Sequence, residues 1–224
     1  DDGSTDNTEK LIKNFQKKDK RIKYVQHKEN KGEGAARNTG IKISKSPFIA
    51  FQDSDDESFP QRLEKQIKVF ENESQKVGLV YSDMILISKM GQKKYFMSPK
   101  FTPENGLIYE KALNYEILGI GIGTSLIPKR CFEVVGFFDD KIPYFVDAEF
   151  FIRLSRYFYF YHIDEPLIKY YELNHNNSGN FNKSLKNITI SRKLILNKYF
   201  YDIRENKEKL PQPAMGFCPC LYKN

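Results

Sequence analysis

The chain has 224 residues, 40% of them hydrophobic and 14% aromatic, and the aromatic supply is Phe and Tyr with no Trp. That suits one substantial domain, or one domain with a small appendage, with apolar surface enough for a core. No apolar run approaches the ~18 residues of a membrane span; the longest, 118–127, is broken by Gly119, Gly121 and Gly123, and no signal peptide is found.

The net charge of +7 comes from 36 Lys and Arg against 29 Asp and Glu. These cations are spread along the chain and not gathered into one arm or helix, which argues against a nucleic-acid partner. A Lys-rich surface, or attraction to a membrane face or a lipid phosphate, is the remaining reading. Three cysteines, Cys131, Cys218 and Cys220, make no disulfide framework, and Cys218-Pro219-Cys220 has no second ligand pair. A soluble cytoplasmic protein is expected, with peripheral contact at the inner face of a membrane.

In chain order, Asp1-Asp2-Gly3-Ser4 is a loop with no strand before it and no initiator Met, so the first elements of the domain are expected to be missing. Asp6-Asn7-Thr8-Glu9 has capping-box spacing, and Leu11, Ile12 and Phe15 continue it as a helical apolar stripe that fades at 17–20. Residues 22–25 read as a short strand, 29–32 as a turn and 34–44 as a second helix. Phe48-Ile49-Ala50-Phe51 is short, apolar and unalternating, as in a strand buried on both faces of a parallel sheet. Ser58 is placed to cap a helix with Pro60 in its first turn and Leu63, Ile67 and Phe70 on its buried face. Residues 77–82 form the next strand, and the alternation of helices and strands predicts an α/β domain with crossover connections.

The second half is less regular. A hairpin over 85–96 turning at Met90-Gly91, a helix over 109–117 and an extended stretch over 123–128 are predicted. A helix over 147–158 follows, then strands 159–163 and 167–171 separated by Glu165-Pro166. A Lys-rich helix over 182–206 and an irregular tail complete the chain, which contains no internal repeats.

Three stretches carry chemistry. Asp53-Ser54-Asp55-Asp56 follows a buried strand directly, at the sheet edge where open α/β folds bind ligands. Carboxylates two apart there can converge on a hard divalent cation, which also holds phosphate oxygens; the plainer reading is an acidic turn capping the next helix. Asp1-Asp2-Gly3-Ser4-Thr5-Asp6 is a second acidic loop leading into a helix, able to accept from a base N–H or a ribose hydroxyl. In Asn30-Lys31-Gly32-Glu33-Gly34-Ala35-Ala36-Arg37-Asn38-Thr39-Gly40 the small residues permit close packing and Arg37 can reach a base or phosphate. That run lacks the dinucleotide Gly-x-Gly-x-x-Gly spacing.

In order and spacing these pieces resemble the family 2 glycosyltransferases, over roughly residues 1–175. The resemblance implies a GT-A fold: a mostly parallel, Rossmann-like sheet flanked by helices, with a mixed acceptor-side half and a helical C-terminal tail. The family's first strand, first helix and most of its second strand are then expected to be absent. It divides the chain into a catalytic domain, 1–175, with a nucleotide-sugar half (1–84) and an acceptor half (85–175), followed by an extension at 176–224.

Residue by residue, it implies that Asp1, Asp2, Gly3, Ser4, Arg37, Asp53, Ser54 and Asp55 bind the donor, and that Asp55 holds Mg²⁺ or Mn²⁺. His175 resembles a downstream His that closes the metal site in some relatives. Gly136-Phe137-Phe138-Asp139 resembles the family's Gly-Phe-Asp segment, and counting back from Arg153-Leu154 puts Asp147 on its catalytic base and Glu149 on a second acid at the acceptor. Relatives commonly have Glu before the base; here Val146 stands there. His27 and His162 are assigned nothing.

The implied reaction is inverting transfer of a sugar from a nucleotide diphosphate to a saccharide or lipid-linked acceptor hydroxyl, in bacterial envelope polysaccharide or glycolipid synthesis. Asp147 is expected to be held ionised by its helix N-terminus. A non-catalytic fragment or interaction module of the same fold is the competing expectation, and a nucleotidyltransferase the third.

Overall fold

The computed structural model describes residues 1–88, 93–96, 105–114, 120–171 and 178–207. His175, Met90, Gly91, residues 115–117 of the expected fourth helix, Cys218 and Cys220 fall outside them.

Helix α1 (Thr8–Lys18) starts where Asp6 Oδ1 accepts the Thr8 amide at 2.9 Å. Glu9 does not close a capping box; it pairs with Lys13 one turn on. Residues 22–25 form no strand. The Asp1 nitrogen donates to Val25 O and His27 N donates to Asp1 O (3.0 and 2.9 Å), and a single paired residue is too little for a ladder.

Helix α2 (Glu33–Ile43) buries Gly34, Asn38 and Ile41, a stripe at helical spacing. Strand β1 (Phe48–Ala50) lies at one end of the sheet, with Ile49 buried and Ala50 exposed, so it is not the doubly covered strand its composition predicts. Strand β2 (Glu57–Ser58) precedes helix α3 (Arg62–Asn72).

The inward face of α3 corrects the sequence pattern: Arg62 and Gln66 are buried and Leu63 is 47% exposed. Arg62 donates to Phe51 O (3.2 Å), Ser58 Oγ (3.0 Å) and Ser125 O (3.1 Å), while Gln66 Nε2 donates to Val80 O and Thr124 O (3.1 and 2.8 Å). These carbonyls, in or beside three strands, need donors once buried, and α3 supplies them. Ser58 therefore belongs to β2 and caps no helix.

Strands β3 (Val77–Ile87) and β4 (Lys93–Phe96) form the expected hairpin, with Ile87 opposite Lys93. Helix α4 (Tyr109–Leu113), a 3-10 turn (Ile122–Thr124), strand β5 (Ser125–Pro128) and helix α5 (Lys129–Val135) follow. Helix α6 (Val146–Ser155) leads into β6 (Tyr159–Tyr171), a single long strand with irregular register near Ser82–Met84 where two strands were expected. Helices α7 (Ser178–Lys198) and α8 (Phe200–Lys207) end the described chain.

The described strands form one sheet in the order β1-β5-β3-β6-β2, with β4 beside β3. The sheet is more mixed than expected: β3 and β6, joined by helical crossovers, run parallel, whereas β1/β5, β5/β3, β3/β4 and β2/β6 are antiparallel. The α/β architecture stands.

Against the sheet packs α6, buried almost all round because its neighbours are aromatic: Phe132 stacks on Phe150 at 5.0 Å, Phe138 meets Phe150 at 4.7 Å, and Phe151 meets Phe160 edge-on at 6.0 Å. Burying each such ring contributes about 1.5–3 kcal/mol. Asp147, in the first turn of this apolar helix, keeps partial exposure.

Candidate functional site

The 1–4 loop rests on the turn that opens α2. Asp1 Oδ1 accepts the Ser4 amide at 2.8 Å and its other oxygen accepts the Tyr24 hydroxyl. Asp2 is a brace: it accepts the Lys31 and Gly32 amides (2.9 and 2.7 Å) and His27 Nδ1 (2.8 Å). Burial works against its charge, but these hydrogen bonds outweigh burial and hold the carboxyl below its usual range. Gly3 has φ +80°, and a Cβ there would stand 3.2 Å from Asn30 N, so this loop lies on the 29–32 turn as only glycine permits. His27, read as an ordinary strand residue, joins the two signatures: its Nε2 lies 2.8 Å from Thr39 Oγ1 on α2.

That turn opens α2, which carries Arg37 into the cleft. Its guanidinium pairs with Glu33, lies 4.0 Å from Asp53 Oδ1, and sits 5.8 and 5.7 Å above the Phe51 and Phe138 rings. Nη1 is buried without a hydrogen-bond partner, an unmet donor in a side chain only 12% exposed.

Beyond it α2 touches the start of α6. A Cβ on Gly34 would lie 3.0 Å from Val146 Cγ2, so the close approach of the two helix starts requires glycine. Asn38 fixes the same junction, donating to Phe138 O and accepting Phe138 N, both at 2.9 Å. The residue before the expected base is thus a buried packing contact on α2.

Asp147 Oδ1 accepts the Ala148 amide at 2.8 Å. Burial pushes its carboxyl above the usual aspartate range, Arg37 and the Ala148 amide pull it back, and Asp53 adds to the rise. Desolvation is the larger effect, so the net shift is upward although the first-turn amide favours the carboxylate. Glu33 is raised in the same way, by burial with Asp147 and Asp53 adding and Arg37 opposing. Glu33, Arg37, Asp53 and Asp147 form one electrostatic group, assembled from α2, the loop after β1 and α6. Glu33 went unremarked in the sequence; its i,i+4 spacing to Arg37 was the available signal.

The acidic loop lies open beside this group. Asp53, Ser54 and Asp55 are exposed, and Asp53 Oδ2 faces Gly123. Burial, with Asp55 and Asp53 nearby, pushes Asp56 up to about 6 against the Tyr171 amide that it accepts. Among the described residues no three His, Cys, Asp or Glu side chains gather as a cation site. Exposed carboxylates at a strand end still suit a hard cation that takes its remaining ligands from substrate phosphates. A cavity of about 310 Å³ behind the loop, lined by Phe51, Gln52, Ser58 and Arg62, includes none of the four charged groups around Arg37.

Glu149 is not in the cleft. It is fully buried, with its oxygens accepting from Arg153 (2.8–3.1 Å), Lys198 (2.7 Å) and Tyr199 (2.8 Å), so its place is structural and not at an acceptor. His162, assigned nothing, donates Nε2 to buried Asp83 Oδ1 at 2.6 Å inside the β3/β6 pairing.

Comparison with known proteins gives this arrangement a context. The family model "Glycosyl transferase family 2" matches residues 1–121, more than half of the chain. The chain belongs to glycosyl transferase family 2. The glycosyltransferase MJ1057 of Methanocaldococcus jannaschii is 31% identical over 171 residues, 76% of this chain and 57% of that protein. The putative teichuronic acid biosynthesis glycosyltransferase TuaG of Bacillus subtilis is 31% identical over 121 residues, covering 53% of this chain and 45% of its own.

Among solved structures, S. aureus TarS 1–349 shares the fold with a TM-score of 0.64 at 15% identity, over 93% of this chain and 58% of that one. TarS has also been solved with UDP and with UDP-GlcNAc. The chain spans about half the length of these relatives. The matched stretch of the family 2 chain holds both acidic loops and Arg37; Asp147 lies beyond it. Among the described residues no helix is long and apolar enough to cross a membrane.

Proposed function

We propose that this family 2 chain is an inverting glycosyltransferase that moves a sugar from a nucleotide diphosphate to an acceptor hydroxyl, with Asp147 as the base. One observation carries the reading: Asp53, in the loop after β1, lies 4.0 Å from Arg37, and Asp147, in the first turn of α6, feels the charge of both. The binding of UDP and UDP-GlcNAc by TarS supports a uridine diphosphate sugar as the first donor to test. The name of TuaG supports an envelope polysaccharide as the setting. The net charge of +7 suits a lipid-linked or anionic acceptor at the cytoplasmic face of a membrane.

In this reading the 1–4 loop and Arg37 hold the nucleotide diphosphate, and the orphaned Nη1 donates to one of its oxygens. Asp147 takes the acceptor hydroxyl proton as that oxygen attacks the anomeric carbon from the face opposite the diphosphate. The new C–O bond forms as the bond to the diphosphate breaks, and the bonding pair leaves with the nucleotide. A carboxyl raised by burial is better matched to this role than an ordinary aspartate, because its conjugate base accepts a proton more readily near neutrality. Asp55, with Asp53, would hold Mg²⁺ or Mn²⁺, which when bound neutralises charge building on the diphosphate.

The test is a screen of nucleotide sugars against the protein with Mn²⁺ and with EDTA, reading nucleotide diphosphate release. Release from one donor, abolished in Asp147→Asn, is expected. Full turnover in Asp147→Asn would sink the assignment.

A further inference from the structure

We infer that the end of α7, with Ser191, Ile195 and Lys198, and Tyr199 directly after it form a positioning element for the base, gripping the chain on both sides of Asp147. This rests on the reading of Asp147 given above and adds to it a second group of residues, none of them in the segment that the family model matches.

Ser191, Ile195 and Tyr199 recur every four residues and are all buried, so one stripe of α7, continued by the turn residue after it, faces inward. Upstream of Asp147, Ser191 Oγ accepts the Tyr144 amide at 2.9 Å and the Arg192 guanidinium lies 5.9 Å above the Phe145 ring. Lys198 Nζ reaches Asp139 Oδ2 at 3.1 Å. Downstream, the same Lys198 Nζ lies 2.7 Å from Glu149 Oε1, and the Tyr199 hydroxyl donates to that oxygen at 2.8 Å. Asp147 sits between these two sets of contacts and touches neither.

The backbone shows what the grip holds. Phe145 has φ 59° and ψ 30°, the one positive φ outside glycine among the described residues. A left-handed residue with a Cβ is strained and persists where its surroundings over-determine it. This residue sets the direction in which α6 departs, and its carbonyl accepts the Glu149 amide at 3.1 Å to close the first turn. Release of α7 and Tyr199 removes the Tyr144 and Phe145 contacts above the turn and two of the donors to Glu149 below it. The buried Glu149 is left with Arg153 alone. The first turn of α6, and the aim of Asp147 with it, then loses its fixed geometry. The donor side is untouched, because Asp2, Arg37 and Asp53 make none of these contacts.

Two variants test this, with UDP titration and thermal melting as controls. Tyr199→Phe deletes one oxygen, and Lys198→Met removes the bridge between Asp139 and Glu149. With the donor selected by the screen, each is expected to lower kcat about tenfold or more, since a small misplacement of a catalytic group is costly. UDP affinity and donor KM should stay within about twofold of the parent, as binding is not the step disturbed. Lys198→Arg should restore most of the loss, because it keeps the charge in reach of both carboxylates.

A role in stability alone predicts lower melting temperatures with kcat per UDP-binding site unchanged, and that result overturns the inference. Loss of kcat and UDP affinity in equal measure overturns it too. Asp147→Asn separates the two proposals: if it turns over normally the base is wrong, and if it is inactive while Tyr199→Phe and Lys198→Met keep full kcat, only the brace is wrong. Amide exchange gives a readout without turnover. Tyr199→Phe should speed exchange across 139–149 and leave 29–40 unchanged, and equal exchange in both segments counts against the grip.

Discussion

The acidic loop after β1 and the first turn of α6 each present a carboxylate to the same cleft, and they are held in opposite ways. Asp53 and Asp55 are exposed, and their loop is secured from beneath by Arg62, which donates to Phe51 O and Ser58. Asp147 starts a helix whose other side chains are almost all buried and whose approach is clamped by α2 at Phe138 and α7 at Tyr144. A cation arriving with its phosphates organises flexible carboxylates as it binds. A base has no such partner and must already be aimed when the acceptor enters. Packing and hydrogen bonds are thus concentrated around Asp147, the proposed base, while the carboxylates of the proposed donor side stay open to solvent.

The largest effect that would break this contrast is on turnover. Asp147→Asn is expected to lower kcat about 10²–10⁴-fold with nucleotide affinity preserved, as for loss of a general base. Asp55→Asn should instead act first on the dependence on donor and divalent cation. Steady-state kinetics at varied donor and Mn²⁺ distinguish the two, and matching profiles would erase the distinction.

Next comes the floor of the acidic loop. Arg62 is buried among carbonyls and amide oxygens, and burial lowers its guanidinium to about 10. Arg62→Met should destabilise the fold by about 3 kcal/mol, since Phe51 O and Ser125 O lose their buried donor. Urea denaturation measures it, and a change under about 0.5 kcal/mol, typical of surface sites, would mean that the loop is secured elsewhere.

A smaller effect probes the joint between the two regions. Gly34→Ala puts a methyl 3.0 Å from Val146 Cγ2 and should cost about 1–2 kcal/mol, as overpacking does. Val146→Ala makes room, so the double variant should be more stable than the sum of the single changes by about 1 kcal/mol. Strict additivity would show that α2 and α6 do not share this contact.

The finest test is pH. As the proposed base, Asp147 must be ionised to accept a proton, and burial raises its pKa, so kcat at saturating donor should fall with acidification at a pH above the usual aspartate range. Arg37 pulls that value down, so Arg37→Gln should move the limb to higher pH. A limb that stays put would place Arg37 with the donor alone.

Some of this was legible in the amino-acid order, because local chemistry repeats. Turn glycines, a strand-sized apolar run and acids directly after it point to one sheet edge, and Asp53 and Asp55 are found there, open to solvent. The helices α1, α2, α6 and α7 lie close to where periodicity predicts them. Other readings fail for different reasons. Pattern rules equate polar with outside and so predict Leu63 on the buried face of α3, where Arg62 and Gln66 go in. The family resemblance puts Glu149 at the acceptor, yet it is tied to Lys198 and Tyr199, and His27, assigned nothing, joins Asp2 to Thr39.

Local chain order suffices for the α/β class and the two acidic loops, since these depend on neighbours within a few residues, whereas Asp147 as candidate base comes from the family resemblance. Only the tertiary structure decided which polar groups face the cleft and which hold it up. Their partners are carbonyls and charges tens of residues away, and a long polar side chain is buried or exposed according to whether folding brings those partners within hydrogen-bond reach.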